Sequence, residues 1–149
     1  MRRVVPRVLL IGGGLAAVAG LLGGRLPASV KASVGSCTTS GSQVTCTFDY
    51  TGAAISWTVP DGVTQAKFDV FGAQGANNGT GDRSGGNGGE AAAAIAVTPG
   101  DTLQINVGGT GFGGGGSGGF AGGNGGGASD VRAGGTALAN RIIVGGGGG

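Results

Sequence analysis

The 149-residue sequence predicts an all-β fold, an antiparallel β-sandwich or jelly roll, interrupted by glycine-rich segments. Apolar and polar residues alternate in short segments, turn residues separate these segments, and no long segment has the apolar period of a helix. The 40 glycines far exceed the usual share. With 11% charged and 39% hydrophobic residues and no strict Gly-X-Y period, the composition fits neither a disordered chain nor collagen.

Residues 1–32 have the order of regions of a secretory signal peptide. A basic head, MRRVVPR, precedes the uncharged apolar body VLLIGGGLAAVAGLLGG, and a more polar tail ends at Ala32, before a cleavage point ahead of Ser33. The alternative is an uncleaved membrane anchor, but the apolar body is short for a span and diluted by glycine. We therefore predict a signal peptide over 1–32 and one exported domain over 33–149.

The predicted leader also changes the charge balance of the chain. The formal net charge is +2, but five of the nine basic residues lie in the leader, so four bases and seven acids remain and the net charge is −3. We therefore expect no nucleic-acid partner. A Gly12-x-Gly14-x-x-Ala17 match to the dinucleotide-binding fingerprint lacks the acidic residue about twenty positions later and is assigned to chance.

The two cysteines, Cys37 and Cys46, lie in the segment SCTTSGSQVTCTFDY. A two-residue turn at Gly41-Ser42, with glycine where a type II′ turn requires it, places the cysteines directly opposite each other on a pair of strands. That pair is of the non-hydrogen-bonded kind, in which the two backbones come closest. We predict a structural disulfide there, in agreement with export. Metal binding or a catalytic thiol has little support, since the chain contains no histidine and no third cysteine.

The following segments have the two-residue period of strands. Four alanines in EAAAAIAV suit a helix as well, but the short length and the turn at Pro99-Gly100 favour a strand. The run RIIV, residues 141–144, is apolar throughout and suits a strand that is covered on both faces. The predicted inward-facing residues are Val44, Cys46, Phe48, Tyr50, Ile55, Trp57, Val59, Ala66, Phe68, Val70, Ile95, Val97, Leu103, Ile105 and Val107.

Three glycine-rich segments follow or separate these strands: GAQGANNGTGDRSGGNGG, residues 111–127, and the run that begins at Gly145. They fit flexible loops. They equally fit ordered, extended chains with the threefold period of polyproline II, whose backbones pack against each other because no side chains intervene. The residues alone leave both alternatives open.

Three blocks carry a family resemblance: FDYTGAAISWTVPDGVTQAKFDVFGAQG, VTPGDTLQINVGG and GGGASDVRAGGTALANRIIVGGGGG. They resemble the bacterial secreted glycine-rich proteins, which are similar to the glycine-rich extracellular domain of the anaplastic lymphoma kinase and leukocyte tyrosine kinase receptors. The resemblance covers nearly all of residues 43–149. It implies a TNF-like β-sandwich that carries a bundle of polyglycine-II helices and binds protein ligands outside the cell. Family members usually continue beyond the RIIV strand, so we expect a domain truncated at its C-terminus.

Candidate site residues concentrate near the ASDVR block. Asp130 and Arg132 lie two residues apart, on the same side if their segment is a strand, and Arg141 lies nearby in sequence. We interpret the three as an ion-pair set that fastens the glycine segments to the sheets, with a recognition patch as the alternative. Phe112 and Phe120 have the same two interpretations, namely packing in the core or glycine bundle, or contact with a partner.

Little in the sequence indicates catalysis. Without histidine, the usual general base and the Ser-His-Asp triad are excluded. We expect no catalytic residues, no cofactor and no metal, since GGGASDVRAGG is a single copy of a pattern that binds calcium only when stacked. The predicted function is that of a secreted, non-enzymatic structural or interaction module without a membrane span in its mature chain. A ligand-binding adhesin or receptor-like domain that recognises a protein or glycan is the alternative, and an exported hydrolase using Asp61 or Glu90 is the third.

Overall fold

The structure, a computed structural model, describes residues 7–13 and 35–149. These residues form an all-β fold of nine strands with one short 3-10 turn at Leu138–Asn140, which confirms the predicted class. The strands are β1 (Arg7–Gly13), β2 (Ser36–Ser40), β3 (Gln43–Asp49), β4 (Ile55–Thr58), β5 (Gln65–Phe71), β6 (Glu90–Ala96), β7 (Thr102–Asn106), β8 (Ser129–Ala133) and β9 (Arg141–Gly145).

The strands form two antiparallel sheets. The larger sheet has the order β2-β3-β1-β5-β6, and the smaller has the order β4-β7-β8-β9. Buried side chains from both sheets form one hydrophobic cluster, in which the ring of Phe48 meets that of Trp57 edge to face at 6.4 Å between centroids. The buried members of the cluster are Cys46, Phe48, Ile55, Trp57, Val59, Val63, Ala66, Phe68, Val70, Leu103, Ile105, Val107, Val131 and Ile143.

The hairpin β2–β3 has the predicted register. Ser40 pairs with Gln43 across the Gly41-Ser42 turn, and Cys37 pairs with Cys46, to which it is joined by a disulfide. Gly41 has φ +60°, a value that the first loop position of a type II′ turn requires and that glycine adopts without strain. The predicted disulfide is therefore confirmed.

The predicted faces of β4, β5 and β7 are confirmed, because their apolar residues are buried while most of their alternate residues are not. The alanine-rich segment is strand β6, also as predicted. Two expectations are wrong. Tyr50 follows β3 and is 40% exposed, because the strand ends at Asp49. Strand β9 is not covered on both faces along its whole length, because Val144 is 40% exposed although Ile143 is buried and Ile142 packs against the core cluster.

Strand β1 lies at the centre of the larger sheet, where it pairs antiparallel with β3 and with β5. Its residues belong to the predicted signal peptide. The remainder of that prediction, residues 1–6 and 14–32 with the cleavage point ahead of Ser33, lies outside the described residues. None of the helical turns in the described part of the chain is long and apolar enough to cross a membrane.

Candidate functional site

Asp130 is the centre of a hydrogen-bonded group of charged and polar side chains. It lies on β8 with its side chain only 1% exposed, because the first three residues of this strand are all buried. Nε of Arg132 donates to Oδ1 at 2.7 Å, and Nε of Arg141 on the neighbouring strand donates to Oδ2 at 2.8 Å. The amide of Asn106 on β7 also donates to Oδ1, at 2.8 Å. One carboxylate thus joins three adjacent strands.

The charge state of Asp130 follows from these partners. Burial acts to raise the pKa of Asp130, but the hydrogen bonds from Arg132 and Asn106 and the positive charge of Arg141 together outweigh burial and hold the pKa below its usual value. The carboxylate is therefore ionised at neutral pH. Its two arginine partners are only partly exposed, which strengthens the pairing relative to a surface salt bridge.

The structure brings four of the five predicted anchor residues to one cleft of about 560 Å³. Asp130, Arg132, Arg141 and the half-buried Phe112 line it, whereas Phe120 does not. Gln104 also lines the cleft. Its Nε2 donates to Asn106, while its buried Oε1 has no hydrogen-bond partner within the described residues. The cleft therefore combines an aromatic ring, two guanidinium groups and an unpaired buried acceptor.

Ser129 connects the two sheets and was not identified from the sequence. Its hydroxyl donates to the carbonyl of Phe71 at the end of β5, at 2.6 Å, and accepts from the backbone N–H of Gly108, at 2.8 Å. Serine in an ASDVR block gives no signal for this role, because both partners are backbone groups that are distant in sequence. Tyr50 makes a similar connection, since its hydroxyl donates to the carbonyl of Thr110 at 2.7 Å.

The glycine-rich segments are joined to each other by backbone hydrogen bonds. The segment 72–77 donates to two neighbours with a spacing of three residues. Gly72 and Gly75 donate to Gly89 and Gly86, whereas Ala73 and Ala76 donate to residues 127 and 124. The segment 145–149 accepts from residues 86, 89 and 126 and donates back to residue 73. A repeat of three residues is the period of the polyproline-II conformation.

Several pairs of glycines that lie three residues apart in these segments leave no room for a side chain. A Cβ atom at Gly72, Gly75, Gly85 or Gly88 would lie closer than 3.0 Å to backbone atoms of a neighbouring segment, well inside van der Waals contact. The same holds at residues 115, 118, 123 and 126. The neighbouring Gly116 and Gly119 meet nothing within 4 Å. The close approach of the backbones therefore repeats with the same three-residue period as the hydrogen bonds.

Phe120 lies at the turn that joins two of these segments. Gly122 donates to the carbonyl of Gly119, and Ala121 between them has a φ of 62°, in the left-handed region. The turn carries the Phe120 side chain away from the sheets, so its relative exposure is 109%. Packing of Phe120 in the core or the glycine bundle, our first interpretation, is therefore wrong. Phe112 is half-buried and forms a backbone bridge with Gly109.

The remaining polar loop lies between β5 and β6. The amide of Asn78 donates to Thr80 at 2.8 Å and to Asp82, and its oxygen accepts from the backbone N–H of Arg83. Hydrogen bonds from Thr80 and Asn78 hold the pKa of Asp82 below its usual value.

Across the described parts of the chain, no group of three or more potential metal-ligating side chains comes together. Asp61 lies in an exposed turn and Glu90 is exposed at the start of β6.

Comparison with known proteins returns no match: no family model, no curated protein and no solved structure is similar to this chain.

Proposed function

We propose that the two sheets form a β-sandwich and that the glycine-rich segments form a polyglycine-II bundle attached to it. Two observations support this arrangement. Side chains of both sheets belong to one core cluster, as the two layers of a sandwich require. Hydrogen bonds and close backbone contacts in the glycine segments both repeat every three residues. In this arrangement the hydrogen bonds of Ser129 to Gly108 and Phe71 fasten the bundle to the sheets. The partners of Asp130 lie on strands β7, β8 and β9, so the Asp130 group joins these strands to each other and does not hold the glycine segments as we first interpreted it.

The proposed function is that of a secreted, non-enzymatic interaction module that binds an extracellular protein or glycan. The binding surface is the turn at residues 119–122, which we call the tip of the bundle. The observation that carries it is Phe120, a fully exposed aromatic ring at a turn whose flanking segments are held by main-chain hydrogen bonds. An aromatic side chain that is presented on a rigid support loses little entropy on binding, and aromatic residues are enriched among the residues that dominate binding energy.

A second candidate is an adhesin-like module that binds a ligand in the cleft beside Asp130. The observation that favours it is Oε1 of Gln104, a buried acceptor without a partner in the described chain, in a residue that lines the same cleft as Phe112. A sugar hydroxyl that donates to Oε1 would satisfy it, and the ring offers a stacking surface. In this alternative the cleft, and not the tip, contacts the ligand.

One experiment separates the two candidates. Fluorescently labelled exported protein is applied to an array of glycans and extracellular proteins and to intact bacterial cells. If the tip binds the ligand, Phe120→Ser reduces binding at least about tenfold, while Val144→Ser, which alters an exposed side chain that belongs to neither the tip nor the cleft, leaves it unchanged. If the cleft binds the ligand, Gln104→Leu reduces binding and Phe120→Ser does not. Absence of binding to every probe contradicts both.

The non-enzymatic part of the proposal is tested on the same probes. Mass spectrometry of the glycans and proteins after incubation detects cleavage. We expect none above the level seen with heat-unfolded protein. Hydrolysis that disappears in Asp61→Asn or Glu90→Gln would overturn the proposal and favour the exported hydrolase.

A further inference from the structure

Strand β1 occupies the centre of the larger sheet, although its residues lie in a stretch with the composition of a secretion leader. Residues 7–13 pair with seven residues of β3 on one side, and residues 8–12 pair with five residues of β5 on the other. If the leader is removed on export, the sheet loses this strand. Strands β3 and β5 then face each other across two inter-strand spacings, roughly 9.6 Å.

Contacts that do not involve β1 hold the two flanking strands apart. Strand β3 is fixed to the smaller sheet by the edge-to-face packing of Phe48 on Trp57. Strand β5 is fixed at its end, where Ser129 donates to the carbonyl of Phe71 and Gly72 donates to that of Gly89. Both strands run antiparallel to β1 and therefore parallel to each other. A shift of either strand that closed the gap between them, which we call the β3–β5 slot, would have to break these contacts.

The walls of the β3–β5 slot suit an extended apolar peptide. Register positions 8, 10 and 12 of β1 lie opposite residues of β3 and β5 that point into the core. An empty slot would expose these side chains together with unpaired backbone N–H and C=O groups of both strands, which is unfavourable. The fully buried residues along it are Cys46, Phe48, Ala66, Phe68 and Val70.

We propose that removal of the leader opens the β3–β5 slot and that an extended segment of a partner protein fills it by strand addition. The segment has apolar residues at the three inward positions and runs antiparallel to both neighbours. At the outward positions, residue 9 stands between Thr47 and Asp69 and residue 11 between Thr45 and Lys67. A partner segment with a basic residue at position 9, beside Asp69, and an acidic residue at position 11, beside Lys67, is therefore favoured.

This inference rests on export and leader removal in the proposed function, but not on the Phe120 tip. The protein is produced from its complete coding sequence in an exporting bacterial host, and the intact mass of the recovered protein gives its first residue. The probe is a labelled synthetic peptide with the sequence of residues 5–15. Two variants of it have equal charge and composition: Leu9→Lys changes an outward position beside Asp69, and Leu10→Lys changes an inward position.

Recovered protein that begins after residue 32 is expected to bind the peptide and its Leu9→Lys variant, and to bind the Leu10→Lys variant at least about tenfold more weakly. Amide exchange should slow in residues 43–49 and 65–71 on binding. Recovered protein that retains residues 7–13 overturns the inference, because the slot never opens. Equal binding of the two variants, or no binding, also overturns it. If the recovered protein is instead a stable dimer, and its amides in residues 43–49 and 65–71 are protected before the peptide is added, a second copy of the chain fills the slot. The proposal that a partner protein fills it would then be wrong.

Discussion

Asp130 and Arg141 lie on neighbouring strands and are joined by a 2.8 Å hydrogen bond between Nε and Oδ2. The other carboxylate oxygen accepts from Arg132, which in turn donates to the carbonyl of Thr136 in the loop that follows β8. A single buried charge therefore holds β8, β9 and the connection between them. Since the register between β8 and β9 shifts at Val131 and Arg132, this ion-pair group stabilises the pair of strands where the ladder is irregular.

Substitution of Asp130 by asparagine should lower the free energy of unfolding by about 3 kcal/mol, because two partly buried arginines lose their common counter-charge. Urea denaturation measures the loss. Asp61→Asn, in an exposed turn, is the matched control and should change stability by less than about 0.5 kcal/mol. Equal stability of the two variants would contradict the structural role assigned to Asp130.

The stability of the protein should fall in acid, and Asp130 should account for part of the fall. Its pKa is lowered in the folded state relative to 3.8, so the folded state binds a proton less readily than the unfolded state. The stabilising contribution is complete above the unfolded pKa and is lost as the pH falls through the lower folded pKa. Urea midpoints between pH 5 and pH 2 test this expectation, and Asp130→Asn should show a shallower slope. An unchanged slope would disprove it.

Reduction of the Cys37–Cys46 disulfide should lower the free energy of unfolding by about 2.5 kcal/mol, since the bond closes a loop with a sequence separation of 9. Thermal unfolding with and without a thiol reductant measures the effect. The double variant Cys37→Ala, Cys46→Ala is the control, and reductant should not change its melting temperature. A wild-type melting temperature that is insensitive to the reductant would contradict the prediction.

Local geometry explains which parts of this fold were predictable from the sequence. A two-residue turn fixes the register of its hairpin, so the pairing of Cys37 with Cys46 followed from counting residues. Strands that bury one face show alternation, so the inward residues Trp57, Phe68 and Ile105 were identified correctly. Asp130 and Arg132 were placed on one side because residues two apart in a strand share a face.

Other features carry no local pattern. A short apolar run fits a leader segment, a central strand such as β1 and an edge strand such as β9 equally well, and only tertiary pairing distinguishes them. Glycine has no side chain, so the sequence does not reveal which glycines approach a neighbouring backbone. The exposure of Phe120 depends on a turn within such a segment, so the sequence could not decide between its two interpretations.

Removal of the Phe120 ring should leave the fold intact. The side chain is fully exposed, so Phe120→Ser should change the free energy of unfolding by less than about 0.5 kcal/mol. Phe68→Ala, which removes a fully buried ring, should lower it by about 3–5 kcal/mol. Urea denaturation compares the two variants. A large loss in Phe120→Ser would mean that the ring packs against the protein, and the proposed binding surface would then be wrong.

Two adjacent glycines test the ordered packing of the glycine segments. A Cβ at residue 115 would collide with the backbone of Gly125, whereas a Cβ at residue 116 meets nothing within 4 Å, and neither residue has a left-handed φ. Gly115→Ala should therefore lower the free energy of unfolding by about 1–3 kcal/mol. Gly116→Ala should leave it unchanged or raise it slightly, because alanine restricts the unfolded chain.

Amide exchange provides a local measurement, since the N–H groups of Gly125 and Ala128 donate to carbonyls of the segment that contains both sites. Exchange at these two amides should accelerate in Gly115→Ala alone. Equal and fast exchange in the wild type and both variants would instead indicate flexible loops.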